Sequence, residues 1–148
     1  MQVLESTVSS TSEDFRTNAE AMDAHITTFR DVEQKVLDLA EAAREKFIKR
    51  GKLLPRDRIN RLLDRGTPFL ELCSLAGYKM HDDKDGSLAG GGIIAGIGYV
   101  SGIRCLVVAS NSAIKGGTIT PAGLDKTLRL IGKAPGAQHE NVGGVVQV

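Results

Sequence analysis

Apolar residues open the chain in a seven-residue rhythm. Phe15, Met22, Phe29, Val36 and Ala43 recur every seventh position, and Ala19, Ile26, Ala40 and Phe47 fill the companion positions. Glu33 is the one polar interruption. This narrow seam predicts an amphipathic helix over residues 15–49, behind a polar tail of residues 1–14. Such a helix runs roughly 50 Å at its normal rise per residue. Ser10, with Glu13 three positions on, offers a capping box at its start. A helix this long cannot bury its seam on itself. It requires another helix, another subunit or the body of the protein.

Gly51 ends that pattern, and a short second helix follows. Pro55 suits a first helical position, where its missing N–H costs nothing, and Gly66 suits a position just past the end. Ile59, Leu62 and Leu63 form its apolar face, while Arg56, Arg58, Arg61 and Arg65 project elsewhere. Beyond Gly66 the pattern becomes that of strands. Residues 69–73 form a short one, and residues 81–86 read as a polar loop. Residues 92–100 and 103–109 then read as a hairpin turning at Ser101-Gly102. The second arm is apolar almost throughout, as expected of a strand covered on both faces. Pro121 opens a further helix through Leu124, Leu128 and Leu130.

Composition adds an uneven charge distribution to this picture. The 148 residues are one domain's length and carry a net charge of +1. Residues 1–43 nevertheless hold nine acidic side chains against three basic, and residues 44–65 hold nine basic against three acidic. Of the 17 glycines, all but Gly51 lie beyond residue 65. An acidic helix, a basic connector and a glycine-rich β region therefore follow one another. The near-neutral total gives no field that would draw the chain to nucleic acid or an anionic membrane. No apolar run reaches the ~18–20 residues a membrane span needs, and Met1 to Phe15 lack the apolar core of a secretory signal. The expectation is a cytoplasmic protein, or one of the mitochondrial matrix in a eukaryote, although no transit peptide is evident.

Few residues carry a chemical signature of their own. Cys73 and Cys105 sit in apolar runs and read as core thiols of a reducing compartment. Gly96-Ile97-Gly98 fails as a dinucleotide fingerprint, because Ser101 stands at the third glycine and a strand follows. His81 and the aspartates after it lack calcium-loop spacing, so no metal is expected. His25 and His139 have no partners in the pattern. Lys115-Gly116-Gly117-Thr118 is not a phosphate loop. It is still a glycine-rich turn before a helix, of the kind whose amides meet phosphate or a carbonyl oxygen. The arginines of the second helix are a further candidate for phosphate, with a solvated or ion-paired face as the plainer reading. No catalytic constellation emerges from the residues alone.

From Arg50 to Arg129 the chain resembles the carboxyltransferase (beta) subunits of biotin-dependent acyl-CoA carboxylases. The resemblance rests on Arg50-Gly51-Lys52-Leu53, Arg56-Asp57-Arg58-Ile59, Leu62-Leu63-Asp64 and Pro68-Phe69-Leu70-Glu71. It continues through residues 92–98, then Lys115-Gly116-Gly117-Thr118, Pro121, Lys126 and Leu128-Arg129. Within that family, residues 81–87 and 111–118 look like the branched, unsaturated acyl type, 3-methylcrotonyl-CoA and geranyl-CoA, and closest to the latter. Asn111 stands where methylcrotonyl enzymes tend to show Asp.

The resemblance implies an α/β chain. A partial crotonase-like domain, a superhelix of ββα units, begins over residues 50–130 behind the long helix. It implies acyl-CoA as substrate, carboxybiotin carried by an alpha subunit, and assembly with other beta subunits. No cofactor would be bound covalently to this chain. Candidate CoA contacts are Lys115, Gly116, Gly117 and Thr118, with Arg56, Arg58 and Arg61 weaker candidates. Neither oxyanion-hole region of the family is recognisable, so no catalytic residue is assigned and the chain is expected to be inactive alone. Residues 131–148 depart from the family pattern. They read as an atypical tail, as from a shifted reading frame in a truncated subunit. The alternative is a non-catalytic helical module that docks on a full-length carboxylase subunit.

Overall fold

A computed structural model describes residues 6–81, 83–132 and 145–147. Asp82 and most of the segment set apart as an atypical tail lie outside the described residues. The chain divides into two compact units, residues 1–31 and residues 32–148.

The first unit holds the polar tail and the opening of helix α1, Glu13–Ala42. The helix starts where Ser12, rather than Ser10, caps it. The Ser12 hydroxyl accepts a bond from the Phe15 N–H at 3.2 Å. Phe15, Met22, Ile26 and Phe29 of the heptad seam are all exposed.

In the second unit α1 ends at Ala42, and a separate short helix, α2 (Arg44–Lys49), replaces the continuous helix expected to residue 49. Neither Gly nor Pro marks the break. Arg44 sits there, bonded to Glu41 behind it and to Asp57 ahead of it. At Ala43 the backbone stays close to helical, at φ −81° and ψ −7°, and its N–H bonds to Ala40 three residues back, so the break is a tightened turn. Helix α3 (Pro55–Leu62) places Pro at its first position, as expected. On α1 itself, Val36 and Ala40 are buried, and Ala40 packs against Leu88 and Ile114.

The sheet has the order β1–β2–β3–β4, built from β1 (Leu70–Glu71), β2 (Ile93–Val100), β3 (Ile103–Ser110) and β4 (Val145–Gln147). The first two pairings are antiparallel, and β4 lies parallel to β3 with Leu106 opposite Val145. A parallel neighbour needs a crossover, and α4 (Pro121–Gly132) lies between the two strands in sequence. The sequence pattern led to no strand after that helix. The pairing of β4 with β3 is the difference, and it is a long-range contact that local pattern does not carry.

Strand β1 is shorter than residues 69–73 because Cys73 takes a left-handed φ of 52° and leaves the ladder. Cys73 is exposed there, not a core thiol, whereas Cys105 is buried as expected.

Strand β3 is covered on both faces. Cys105, Val107 and Ala109 pack with Ile59 and Ile94, bordered by Leu62, Leu63 and Phe69. Leu106 and Val108 pack with Ala95 on the other side, bordered by Leu72, Ile93 and Leu130. Gly96 and Gly98 serve this packing. A Cβ on Gly96 would lie 2.5 Å from the Phe69 ring, and one on Gly98 would lie 2.5 Å from Leu63. Their spacing comes from close approach of side chains to the sheet, with no nucleotide involved. On α4, Leu130 joins the core while Leu124 and Leu128 are exposed.

Candidate functional site

The residues singled out as CoA contacts form one tight turn. Lys115–Gly117 is a single 3-10 turn in which three consecutive residues have left-handed backbone, with φ of 43°, 67° and 85°. Asn111 anchors its approach: its N–H donates to Gly92 at 2.8 Å, and its carbonyl accepts from Ile114 at 2.9 Å. The N–H groups of Gly117 and Thr118 donate to the carbonyls of Ile114 and Lys115, at 3.1 and 3.3 Å. Those two amides close the turn and are occupied. What the turn offers a ligand is therefore space. A Cβ on Gly116 would meet no atom within 4 Å. Gly117 is packed more tightly, since a Cβ there would lie 3.2 Å from Ser110 Oγ and from Ser112 Cβ.

Facing Gly116 is a cavity of about 200 Å³ that the sequence did not reveal. Ala43, Lys46, Phe47, Arg50 and Lys52 line it from the connector, and Ser112, Ala113 and Gly116 line it from the turn. Three cations and an aromatic ring thus meet a glycine with an open face. Helical spacing brings Ala43, Lys46, Phe47 and Arg50 onto one side, while Gly51, with φ of 64°, turns the chain so that Lys52 joins them. The signal was available in the basic run 44–52, but the sequence reading took it only as a basic connector and placed Phe47 in the apolar seam.

The arginine candidates fare differently. Arg56 is bound to Glu71 by two bonds of 2.7 and 3.0 Å, both side chains about one-third exposed or less. Arg58 is half-buried and Arg61 is exposed on α3. None of the three lines the cavity at Gly116. Arg56 instead borders two adjoining cavities of about 120 and 240 Å³, which share Leu37, Arg56 and Asn111.

Electrostatics hold the connector in place. Arg44 donates to Asp57 at 2.7 and 3.3 Å, and to both carboxylate oxygens of Glu41. These bonds hold the Glu41 and Asp57 carboxyls below their usual range. Lys126 is the one buried cation among the described residues. Its ammonium donates to the Ile93 carbonyl at 2.7 Å and more weakly to Gly90, and burial pushes its pKa down. No group of three or more His, Cys, Asp or Glu able to hold a metal occurs among the described residues. No described helix is long and apolar enough to cross a membrane.

Two antiparallel strands, a glycine turn, a helix and a parallel return strand make up a crotonase-like arrangement. The transcarboxylase 12S structure shares this fold at 20% identity, with a TM-score of 0.65 over 84% of this chain and 26% of that one. The chain belongs to the carboxyl transferase domain family, which matches it over residues 46–144. That span includes residues 131–144, part of the segment set apart above as departing from the family pattern.

Among its relatives, the probable mitochondrial methylcrotonoyl-CoA carboxylase beta chain of Drosophila melanogaster is 41% identical over 128 residues. The biotin-dependent 3-methylcrotonyl-coenzyme A carboxylase beta1 subunit of Mycobacterium tuberculosis is 52% identical over 89 residues. The match spans 86% of this chain but 22% of the first relative, and 60% of this chain but 16% of the second. The geranyl-CoA carboxylase beta subunit of P. aeruginosa superposes with a TM-score of 0.81 at 56% identity, covering 97% of this chain and 28% of that one.

Proposed function

We propose that this chain is part of the carboxyltransferase (beta) subunit of a biotin-dependent acyl-CoA carboxylase of the geranyl-CoA or 3-methylcrotonyl-CoA type. In this reading it holds the nucleotide end of acyl-CoA. The observation that carries it is the cavity where Lys46, Phe47, Arg50 and Lys52 meet the open face of Gly116. Phosphates suit the three cations, and an aromatic ring suits a purine. The 56% identity to the geranyl-CoA carboxylase beta subunit supports the subunit assignment and favours the geranyl type.

Carboxybiotin on a partner alpha subunit would supply the activated carboxyl group, and the dienolate left when the α,β-unsaturated thioester loses a γ proton would accept it at the vinylogous γ carbon. The residues described here bind and orient the CoA and carry out no bond-making step. Stabilising the enolate takes donors aimed at its oxygen, and none of the described residues is assigned that role. By itself the chain is therefore expected to bind CoA without turnover. The compartment of this reading is the cytoplasm, or the mitochondrial matrix in a eukaryote.

Calorimetric titration with CoA and with dephospho-CoA tests the assignment. The double substitution Lys46→Ala with Arg50→Ala should weaken CoA binding by about thirtyfold, at roughly 1 kcal/mol per lost charge-assisted contact, with the melting temperature preserved. Unchanged binding by the folded double variant would overturn the site. Competition between geranyl-CoA and 3-methylcrotonyl-CoA then ranks the acyl group.

A second reading has its own observation. Phe15, Met22, Ile26 and Phe29 are exposed along one heptad seam, as a helix that docks on a full-length subunit would present them. Association with a full-length beta subunit that persists in the Lys46/Arg50 variant but disappears in Met22→Asp would favour that module.

A further inference from the structure

Gly90, Gly91 and Gly92 precede β2 with left-handed backbone at all three positions, at φ of 87°, 65° and 72°. The first turn of α4 lies directly on them, with no side chain between. A Cβ on Gly91 would lie 2.6 Å from the Gly123 nitrogen, and one on Gly123 would collide with the Gly91 carbonyl. Backbone this close leaves the loop's carbonyls facing a helix whose own N–H groups are engaged. Two side chains of that region supply the donors. Thr120 Oγ1 donates to the Gly91 carbonyl at 2.8 Å while accepting the Gly123 N–H at 3.0 Å, as a helix cap does. Lys126 Nζ donates to the Ile93 carbonyl at 2.7 Å and to that of Gly90 at 3.4 Å. A buried ammonium is costly unless its donors are used, and here they hold two carbonyls. The carbonyl between these, on Gly92, accepts the Asn111 N–H at 2.8 Å. Asn111 opens the segment leading into the Lys115–Gly117 turn, and the far end of that segment returns to the same glycine. The Thr118 carbonyl lies 3.7 Å from where a Cβ on Gly92 would stand.

We propose that Lys126 and Thr120 are positioning residues for the turn at Lys115–Gly117. They fix residues 90–93 against α4, and Gly92, held on either side, supports both ends of the segment that carries the turn. Ser112, Ala113 and Gly116 of that segment line the basic cavity, whereas neither Lys126 nor Thr120 does. The two side chains thus shape the wall of the CoA site without touching the ligand. The consequence for CoA rests on the function proposed above. The mechanical link does not.

Amide exchange and CoA titration on the full chain separate the two. Lys126→Met keeps the apolar stem and removes the ammonium. Thr120→Val removes the hydroxyl at constant shape, and Thr120→Ser restores it. Two amides report: Asn111, bonded to Gly92, and Asp64, bonded to the Tyr99 carbonyl at 2.9 Å near the other end of β2. In Lys126→Met, exchange at Asn111 should speed up about tenfold while Asp64 stays at the parent rate. CoA affinity should fall about tenfold, an ordinary size for coupling between separate positions. Thr120→Val should show the same pattern more weakly, and Thr120→Ser should return both readouts to within about twofold of the parent. Equal acceleration at Asn111 and Asp64 would mean that these side chains hold the whole fold, which would overturn the positioning role. So would unchanged exchange at Asn111, or faster exchange there with CoA affinity unmoved. The Thr120 pair decides by the same criteria where Lys126→Met does not fold. Local acceleration at Asn111 in a chain whose parent binds no CoA would refute the function proposed above and support the mechanical link.

Discussion

The hairpin turn at Ser101-Gly102 and the turn at Lys115–Gly117 look alike in their backbone. Each places consecutive residues in left-handed conformation, at φ of 53° and 77° in the first and 43°, 67° and 85° in the second. Each also has a glycine whose added Cβ would meet nothing within 4 Å, Gly102 and Gly116. Their surroundings differ. The hairpin turn is clamped from below by Asp64, whose carboxylate accepts the N–H groups of Ser101 and Gly102 at 2.8 and 2.7 Å. It faces solvent and borders none of the cavities described above. The second turn closes on its own carbonyls and opens toward three cations and Phe47. A glycine-rich turn is thus a candidate site only where other elements bring chemistry to its open side. Backbone conformation alone does not distinguish the two.

The comparison breaks most sharply at its clamp. Asp64→Ala removes two charge-assisted bonds and should cost about 3 kcal/mol of stability, read as a lowered denaturation midpoint. CoA affinity should be unchanged. Loss of CoA binding in the folded variant would show that the turns are coupled.

Alanine at each glycine sharpens the contrast. Gly102→Ala and Gly116→Ala each force a side chain into the left-handed region at about 1 kcal/mol, so their melting temperatures should drop by similar amounts. Only Gly116→Ala should also weaken CoA binding, because Gly116 lines the basic cavity and Gly102 lines none of those described. Equal CoA affinities would place the ligand elsewhere.

The smallest effect concerns pH. Bonds to Arg44 lower the folded-state pKa of Glu41 and Asp57 below the unfolded values. Their contribution is therefore present above the unfolded pKa, near 4, and is lost as pH falls through the folded values. Amide protection at Lys52, whose N–H bonds to Phe47, should decline in that acidic window more in the parent than in Arg44→Gln. The Arg44–Glu41 pair is exposed and the Arg44–Asp57 pair only part-buried, so the change is modest.

How much of this was legible beforehand varied with the range of the interaction. Pro55 at the head of α3, the hairpin with its Ser101-Gly102 turn, and the doubly covered β3 are local in origin. Proline's missing N–H, a two-residue left-handed turn and a continuous apolar run each leave their mark in a few adjacent positions. The heptad seam was equally readable as a helix, but not its tightened turn at Ala43, where neither Gly nor Pro stands to mark it. The CoA candidates divide the same way. Lys115 to Thr118 stood out as a turn, whereas Lys46, Phe47, Arg50 and Lys52 gained their significance only from what faces them. Arg56 stood out by charge, yet Glu71 neutralises it across fifteen residues.

The amino-acid order alone determined the class of the segments up to α4, the family resemblance and the glycine turn, since these depend on neighbours within a turn or a strand, but not β4, which exists through its pairing with β3. Tertiary structure decided which cations converge, which are paired off, and that Asn111 and Arg56 face the same cavity. Coulombic attraction and desolvation depend on distance in space, and chain folding sets that distance independently of separation in sequence.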